Sequence, residues 1–519
     1  MTGTGALLRL VLRRDRLLMP LWIACLAVAP LGYLSSIEAA YPDAAARQRF
    51  YDLNATSATF VVRNGPLYGS SVGNLLAWQC GFVPVVVGLI ALLTVVRHTR
   101  AEEEAGRREL TGATVVGRHA GLAAAVLAAC GACTVYGLVV AVGVAAQGAP
   151  AAGAFALGAG FALAGWVFAG VGAVAAQLTW GAGAARGLGI GVLVLAFLLR
   201  AAGDSGPAGW LAWLSPIGWA HRMRPFAGEQ WWVLVPALAC TGLLTAVAVA
   251  LSGRRDLGAA LLPARLGRAS AKASLRSPLA LAWRLQRGTL VVWTVCLALV
   301  GLLMGGVARN VAEIMRNNKT VADVFSRMGG GGTMTDAYLA GTMTLFGLAA
   351  AGYAVQATLK LRAEETAGRA EPVLATAVGR VGWTLGHLVF APLGSAFVLA
   401  LTGLATGLAY GNGASLVPAA LAQLPAVWVP AGLAAALIGF LPRFAAAAWG
   451  LLGAFLLLSL VGSALRWNAA VLGISPFQHL ARLPGGTFSV TPVIWLVLIA
   501  LAAGAGGLAA VRRRDLPAG

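Results

Sequence analysis

Residues Arg100-Ala101-Glu102-Glu103-Glu104-Ala105-Gly106-Arg107-Arg108-Glu109 are answered, 262 positions later, by Arg362-Ala363-Glu364-Glu365-Thr366-Ala367-Gly368-Arg369-Ala370-Glu371. Carried on to Gly117-Arg118 and Gly379-Arg380, the two stretches agree at 13 of 19 positions, far beyond chance. The chain is therefore an internal duplication. Each copy lies between long apolar runs and reads as a charged loop joining two membrane helices. Glu103 and Arg107, like Glu365 and Arg369, stand four apart with the acid leading, the favourable order on a helix. Leu110 of the first copy becomes Pro372 in the second. Proline is tolerated at the first position of a helix, so a short second helix is expected to begin there. Glu109 and Glu371 would sit at its positive end.

The rest of the chain explains why this loop is conspicuous. Its 519 residues are 59% hydrophobic and 11% charged, with a mean hydropathy of +0.80; soluble domains carry about 25% charged residues. Too little charge remains to cover a globular surface, which excludes a soluble enzyme. A span needs about 20 mostly apolar residues. The runs that qualify are 17–37, 74–97, 119–146, 151–178, 184–201, 231–252, 289–308, 339–361, 383–409, 415–440, 445–465 and 491–511. The expected fold is thus an all-α membrane protein of about 12 transmembrane helices. The 68 glycines suit close helix–helix approach.

The duplication divides these runs into two parallel repeats of six. The first half is expected over 1–252 and the second over 284–519, with a basic cytoplasmic linker at 253–283 that holds Pro263 and Pro278. An even number of spans makes both halves insert the same way round, related by an axis along the membrane normal. With both termini inside, 26 of the 38 Lys and Arg residues fall on the cytoplasmic side and 12 outside, as the positive-inside rule requires. That distribution accounts for the net charge of +20 without nucleic acid as a partner. Before the first span, Arg9, Arg13 and Arg16 lie opposite Leu7, Leu8 and Val11 on an amphipathic interfacial helix. Its mid-chain counterpart opens with Ser277-Pro278, a good N-cap and first-position pair.

Absences narrow the function. All 18 Asp and Glu residues fall in loops or at helix ends, whereas ion-coupled carriers usually hold a carboxylate at mid-membrane. No G-x-x-x-x-G-K-[ST] loop is present to cradle nucleotide phosphates. No catalytic residue, metal-ligand set or bound cofactor is expected, and the six cysteines lie in apolar runs that suit packing better than a disulfide framework. If the protein is a pump, its energy comes from another subunit.

The E-x-x-G-x-x-E pattern of Glu103/Gly106/Glu109 and Glu365/Gly368/Glu371 resembles the loop after the second helix of ABC-2-type permeases. Leu214-Ser215-Pro216-Ile217-Gly218-Trp219, Arg224-Pro225-Phe226-Ala227-Gly228 and Arg254-Arg255-Asp256-Leu257-Gly258 extend the likeness to actinobacterial ABC exporters of the polyketide-antibiotic type. This resemblance implies a double-length permease with a type V exporter-like fold in the bacterial plasma membrane. Two copies of a separate ABC ATPase would carry ATP and Mg, and the exported cargo would be a hydrophobic or amphipathic small molecule. It also makes the duplicated loops the ATPase-coupling elements, through Arg100, Glu102, Glu103, Gly106, Arg107, Glu109, Arg362, Glu364, Glu365, Gly368, Arg369 and Glu371.

By the same analogy, the second and fifth spans would line the substrate cavity with Trp78, Gln79, Phe82, Phe197, Phe346 and Phe455. Leu214-Ser215-Pro216 is answered by Ile474-Ser475-Pro476. An outer gate is expected at Ser215, Pro216, Trp219, Ser475, Pro476 and Phe477, although the second copy lacks the Gly-Trp. The alternative is a proton-coupled six-plus-six carrier, whose loop between its second and third helices also carries a Gly-Arg-Arg run, as at Gly106-Arg107-Arg108. The missing mid-membrane carboxylates and the long segments after the first spans disfavour it.

Overall fold

A chain that exposes this much apolar surface to lipid must satisfy its backbone internally, and helices do so within one segment. In the computed structural model every regular element among the described residues is helical. Those residues are 2–55, 58–108, 115–206, 208–255, 261, 270, 275, 277–316, 334–459 and 468–514. They form two compact units, Met1–Gly267 and Arg268–Gly519.

The spans of the first unit are Leu18–Ala40, Val72–Glu104, Ala120–Ala146, Ala151–Leu178, Ala182–Ser205 and Trp231–Gly253. The second unit has Pro278–Arg309, Thr335–Thr366, Arg380–Tyr410, a pair Gly413–Leu421 and Leu424–Phe440 bent by 41°, and Val490–Arg513. The run expected at 445–465 carries the short apolar helix Ala447–Leu457, and 460–467 lie outside the described residues. The expected linker is also largely outside them, and the helix that opens the second unit already starts inside it, at Pro278. Ser277 caps that helix by accepting the Ala280 N–H at 3.2 Å.

Small residues decide which helix becomes the centre of the first unit. The fourth span is mostly buried, whereas the first and sixth are mostly exposed. Gly137 of the third span and Gly158 of the fourth bring their backbones into contact, so a Cβ on either would strike the other's carbonyl oxygen. Around this axis pack Val87, Tyr136, Val140, Leu157 and Phe161. The second unit places its second span centrally, with Met343, Phe346, Leu348 and Val355 in its core.

Candidate functional site: the paired elbows

Each elbow begins where a second span ends and an αL glycine stops it. Gly106 and Gly368 both have φ +68°, a conformation that suits glycine. In the second unit, Arg369 N–H donates to the Glu364 carbonyl and Gly368 N–H to that of Glu365, the two bonds of a Schellman cap. The reversal corrects the expected ion pairs. Arg107 folds back past the glycine and forks onto Glu102, five residues away, at 2.8 and 3.0 Å. Arg369 forks onto Glu364 in the same way, at 2.7 and 3.0 Å. Each of these acids takes a second cation, Arg14 at 2.8 Å for Glu102 and Lys360 at 3.2 Å for Glu364.

Glu103 and Glu365 are thereby left to the interior, with side chains 3% and 1% exposed. Arg100 and Arg362, one turn earlier, donate to them at 2.7 and 2.9 Å. The other grip comes from the end of the last span of each unit, Trp231–Gly253 and Val490–Arg513, the sixth of each half by the count expected from the sequence. Arg255 Nη2 donates to both Glu103 oxygens at 2.9 and 3.0 Å. Arg514 Nη2 donates to both Glu365 oxygens at 2.6 Å each. The entry to the third span closes the circuit: Arg118 donates to the Arg255 carbonyl at 2.7 Å and Arg380 to that of Arg514 at 2.9 Å. A buried carboxylate held by guanidinium groups is stable as long as the partners stay, and costly once one leaves. The elbow is thus a fixed bend with an exposed tip at Ala105–Arg107 and Thr366–Arg369.

The units differ in what else holds this bend. In the first, Arg108 also reaches Glu103, and Glu104 accepts the Ala182 N–H at the start of the fifth span, at 3.0 Å. Asp15, buried after the N-terminal helix Thr4–Arg14, bonds His98 Nε2 at 2.6 Å and so ties that helix to the second span. In the second unit Thr366 and Ala370 replace Glu104 and Arg108. A short helix, Ala370–Leu374, does follow; it starts two residues before the expected Pro372, with Glu371 in its first turn. Glu109 and Leu110 lie outside the described residues.

At the other end of the first unit, Ser215 caps helix Pro216–Arg222 by accepting the Gly218 N–H at 3.3 Å. Trp219 Nε1 donates to the Trp213 carbonyl at 2.7 Å. Beneath this helix lies a polar cluster that the sequence reading did not find. Arg200 is fully buried and donates to the Val61 carbonyl at 3.0 Å, at the end of helix Ala58–Asn64. Asp204, one turn later, has Arg222 at 3.3 Å and Arg200 and His221 each at 3.9 Å. Burial pushes His221 below its ordinary pKa, and His221 Nε2–H donates to the Gly81 carbonyl at 2.9 Å. In the second unit Ser475 is buried against Ser459 at 2.8 Å, and Pro476–Gln478 makes a single 3-10 turn with Pro476 and Phe477 buried.

The model for the C-terminal domain of the multidrug efflux system permease Rv1217c matches residues 275–512. The multidrug efflux system permease protein Rv1217c of Mycobacterium tuberculosis is 43% identical over 525 residues, which cover 99% of this chain and 95% of that protein. The chain belongs to this family of efflux permeases.

Within this permease the six expected cavity residues separate into two groups. Trp78, Phe346 and Phe455 are taken up in packing inside their own units. Trp78 donates its Nε1–H to the Gly65 carbonyl at 3.1 Å and meets the rings of Phe50 and Phe60, each with centroids 5.7 Å away. It anchors the segment after the first span. Gln79 and Phe82 are exposed and Phe197 half-buried, and the Phe82 and Phe197 rings meet edge to face at 5.9 Å. The clamp arginines are what sequence reasoning missed in the elbows. Their signal was legible: Arg254-Arg255-Asp256-Leu257 recurs as Arg513-Arg514-Asp515-Leu516, 259 positions on. Arg200 and Asp204 had a fainter one, opposite charges four apart at the end of an apolar run.

Proposed function

We propose that this chain is the transmembrane subunit of an ATP-driven exporter that moves a hydrophobic or amphipathic compound out of the cell. Two copies of a separate ABC ATPase supply the energy, each engaging one elbow from the cytoplasmic side, and they bind the ATP and Mg. Both termini are cytoplasmic. The supporting observation is the twinned elbow. Two bends with the same glycine cap, the same arginine fork and the same buried glutamate suit two copies of one partner. The name of the mycobacterial relative supports efflux of several compounds as the activity. The exposed faces of Gln79, Phe82 and Phe197 are the substrate contacts this reading favours.

Bulky side chains at the elbow tips test it. Ala105→Trp with Ala367→Trp should release a co-expressed ATPase during purification and lower efflux about tenfold, while the permease itself still accumulates in the membrane. Efflux by the wild-type pair should continue when an ionophore collapses the proton gradient at constant ATP. Loss of efflux under those conditions would favour a proton-coupled carrier.

A further inference from the structure

We propose that Arg255 and Arg514 are positioning residues that lock each elbow to the end of the sixth span of its own half. Elbow and span then move as one body, and the second elbow depends on its clamp more than the first. This rests on the coupling reading above.

The first support is recurrence of the whole circuit. In both units an arginine of the Arg-Arg-Asp-Leu stretch grips the buried elbow glutamate with one nitrogen across both oxygens. In both units the same arginine's carbonyl is held by the arginine that opens the third span. A one-residue shift of the sixth span relative to the elbow would break both contacts together. A push on the elbow therefore reaches the third and sixth spans instead of being absorbed by the loop. The second support is chemical. A carboxylate this buried needs its cations, and in each unit one cation lies on the elbow's own helix while another lies on the sixth span.

The inequality follows from the remaining partners. Without the Arg255 guanidinium, Glu103 keeps Arg100 and Arg108, and Glu104 still bonds the start of the fifth span. Without that of Arg514, Glu365 keeps Arg362 among the described residues, and Thr366 and Ala370 offer no charge in place of Glu104 and Arg108.

The experiment is transport per ATP hydrolysed, measured on the permease co-purified with its ATPase and reconstituted in proteoliposomes. R514A should keep the ATPase bound yet lower that ratio roughly tenfold, within the range of coupling between linked sites, and R255A only about twofold, below it. R514K, which restores a cation, should recover most of the loss. If R514A does not accumulate, R514Q keeps an N–H donor without the charge and carries the same expectation. An unchanged ratio in R514A or R514Q, or equal losses in R255A and R514A, overturns the proposal. The tip variants separate the two claims. If they release the ATPase while R514A stays fully coupled, the clamp is wrong and the elbows remain docking sites. If they leave docking and efflux intact while R514A loses coupling, the docking reading fails and the clamp stands.

Discussion

A carboxylate with a few per cent of its side chain exposed is affordable only where cations replace its water, and Glu103 and Glu365 are each gripped from two elements. Helical spacing alone placed them on the wrong face. The i, i+4 rule presumes that the helix continues, whereas Gly106 and Gly368 end it and send the following arginine back to the preceding acid. The cap makes its own prediction. Gly368→Ala places a Cβ in open space, yet at φ +68° it should cost about 1 kcal/mol of stability. Gly504→Ala, also in open space but within a regular helix, should be neutral or stabilising, since alanine is the better helix former. Thermal unfolding in detergent compares the two. An equal effect from both would mean that backbone conformation at the elbow carries no weight.

At the scale of elements, runs of apolar residues located most spans within a few positions, because lipid leaves the backbone few alternatives to helix. The helix expected from 289, however, already starts at Pro278, and the run at 445–465 carries the short helix Ala447–Leu457. At two of the boundaries that moved, polar groups in the added turn find partners. The second span, expected to stop at 97, runs on to Glu104 because His98 and Arg100 find buried partners in Asp15 and Glu103. The fifth span, expected to end at 201, likewise runs on to Ser205, and Asp204 in that added turn faces Arg222 at 3.3 Å. Periodicity cannot announce such long-range pairs; only a repeated motif such as Arg-Arg-Asp-Leu can. Packing between the third and fourth spans is set instead by the absence of side chains. Gly137→Leu should separate them, an overpacking cost of about 1–3 kcal/mol or more. Gly131→Leu, on the same helix with nothing near its Cβ, should be tolerated. Limited proteolysis of the purified permease reads the difference, and equal sensitivity of the two variants would show that backbone contact does not fix this pair.

At the scale of the molecule, the orientation of the two halves turns on parity. A duplicated unit with an odd number of spans would insert its second copy upside down, whereas the six per half expected from the sequence would keep both copies the same way up. In each unit the elbow is bonded to the end of the sixth span, and in the first also to the N-terminal helix. The chain ends and their elbow are therefore on one end of each bundle. In the orientation proposed above that end faces the cytoplasm, the side on which the positive-inside rule expects the excess of Lys and Arg. Single cysteines at Ala105 and Ala367, introduced into a variant with its six native cysteines removed, put this to a direct measurement. A membrane-impermeant maleimide should label both in inside-out vesicles and neither in intact cells. Labelling of the two positions from opposite sides would make the repeats inverted, and two copies of one ATPase could then no longer reach both elbows.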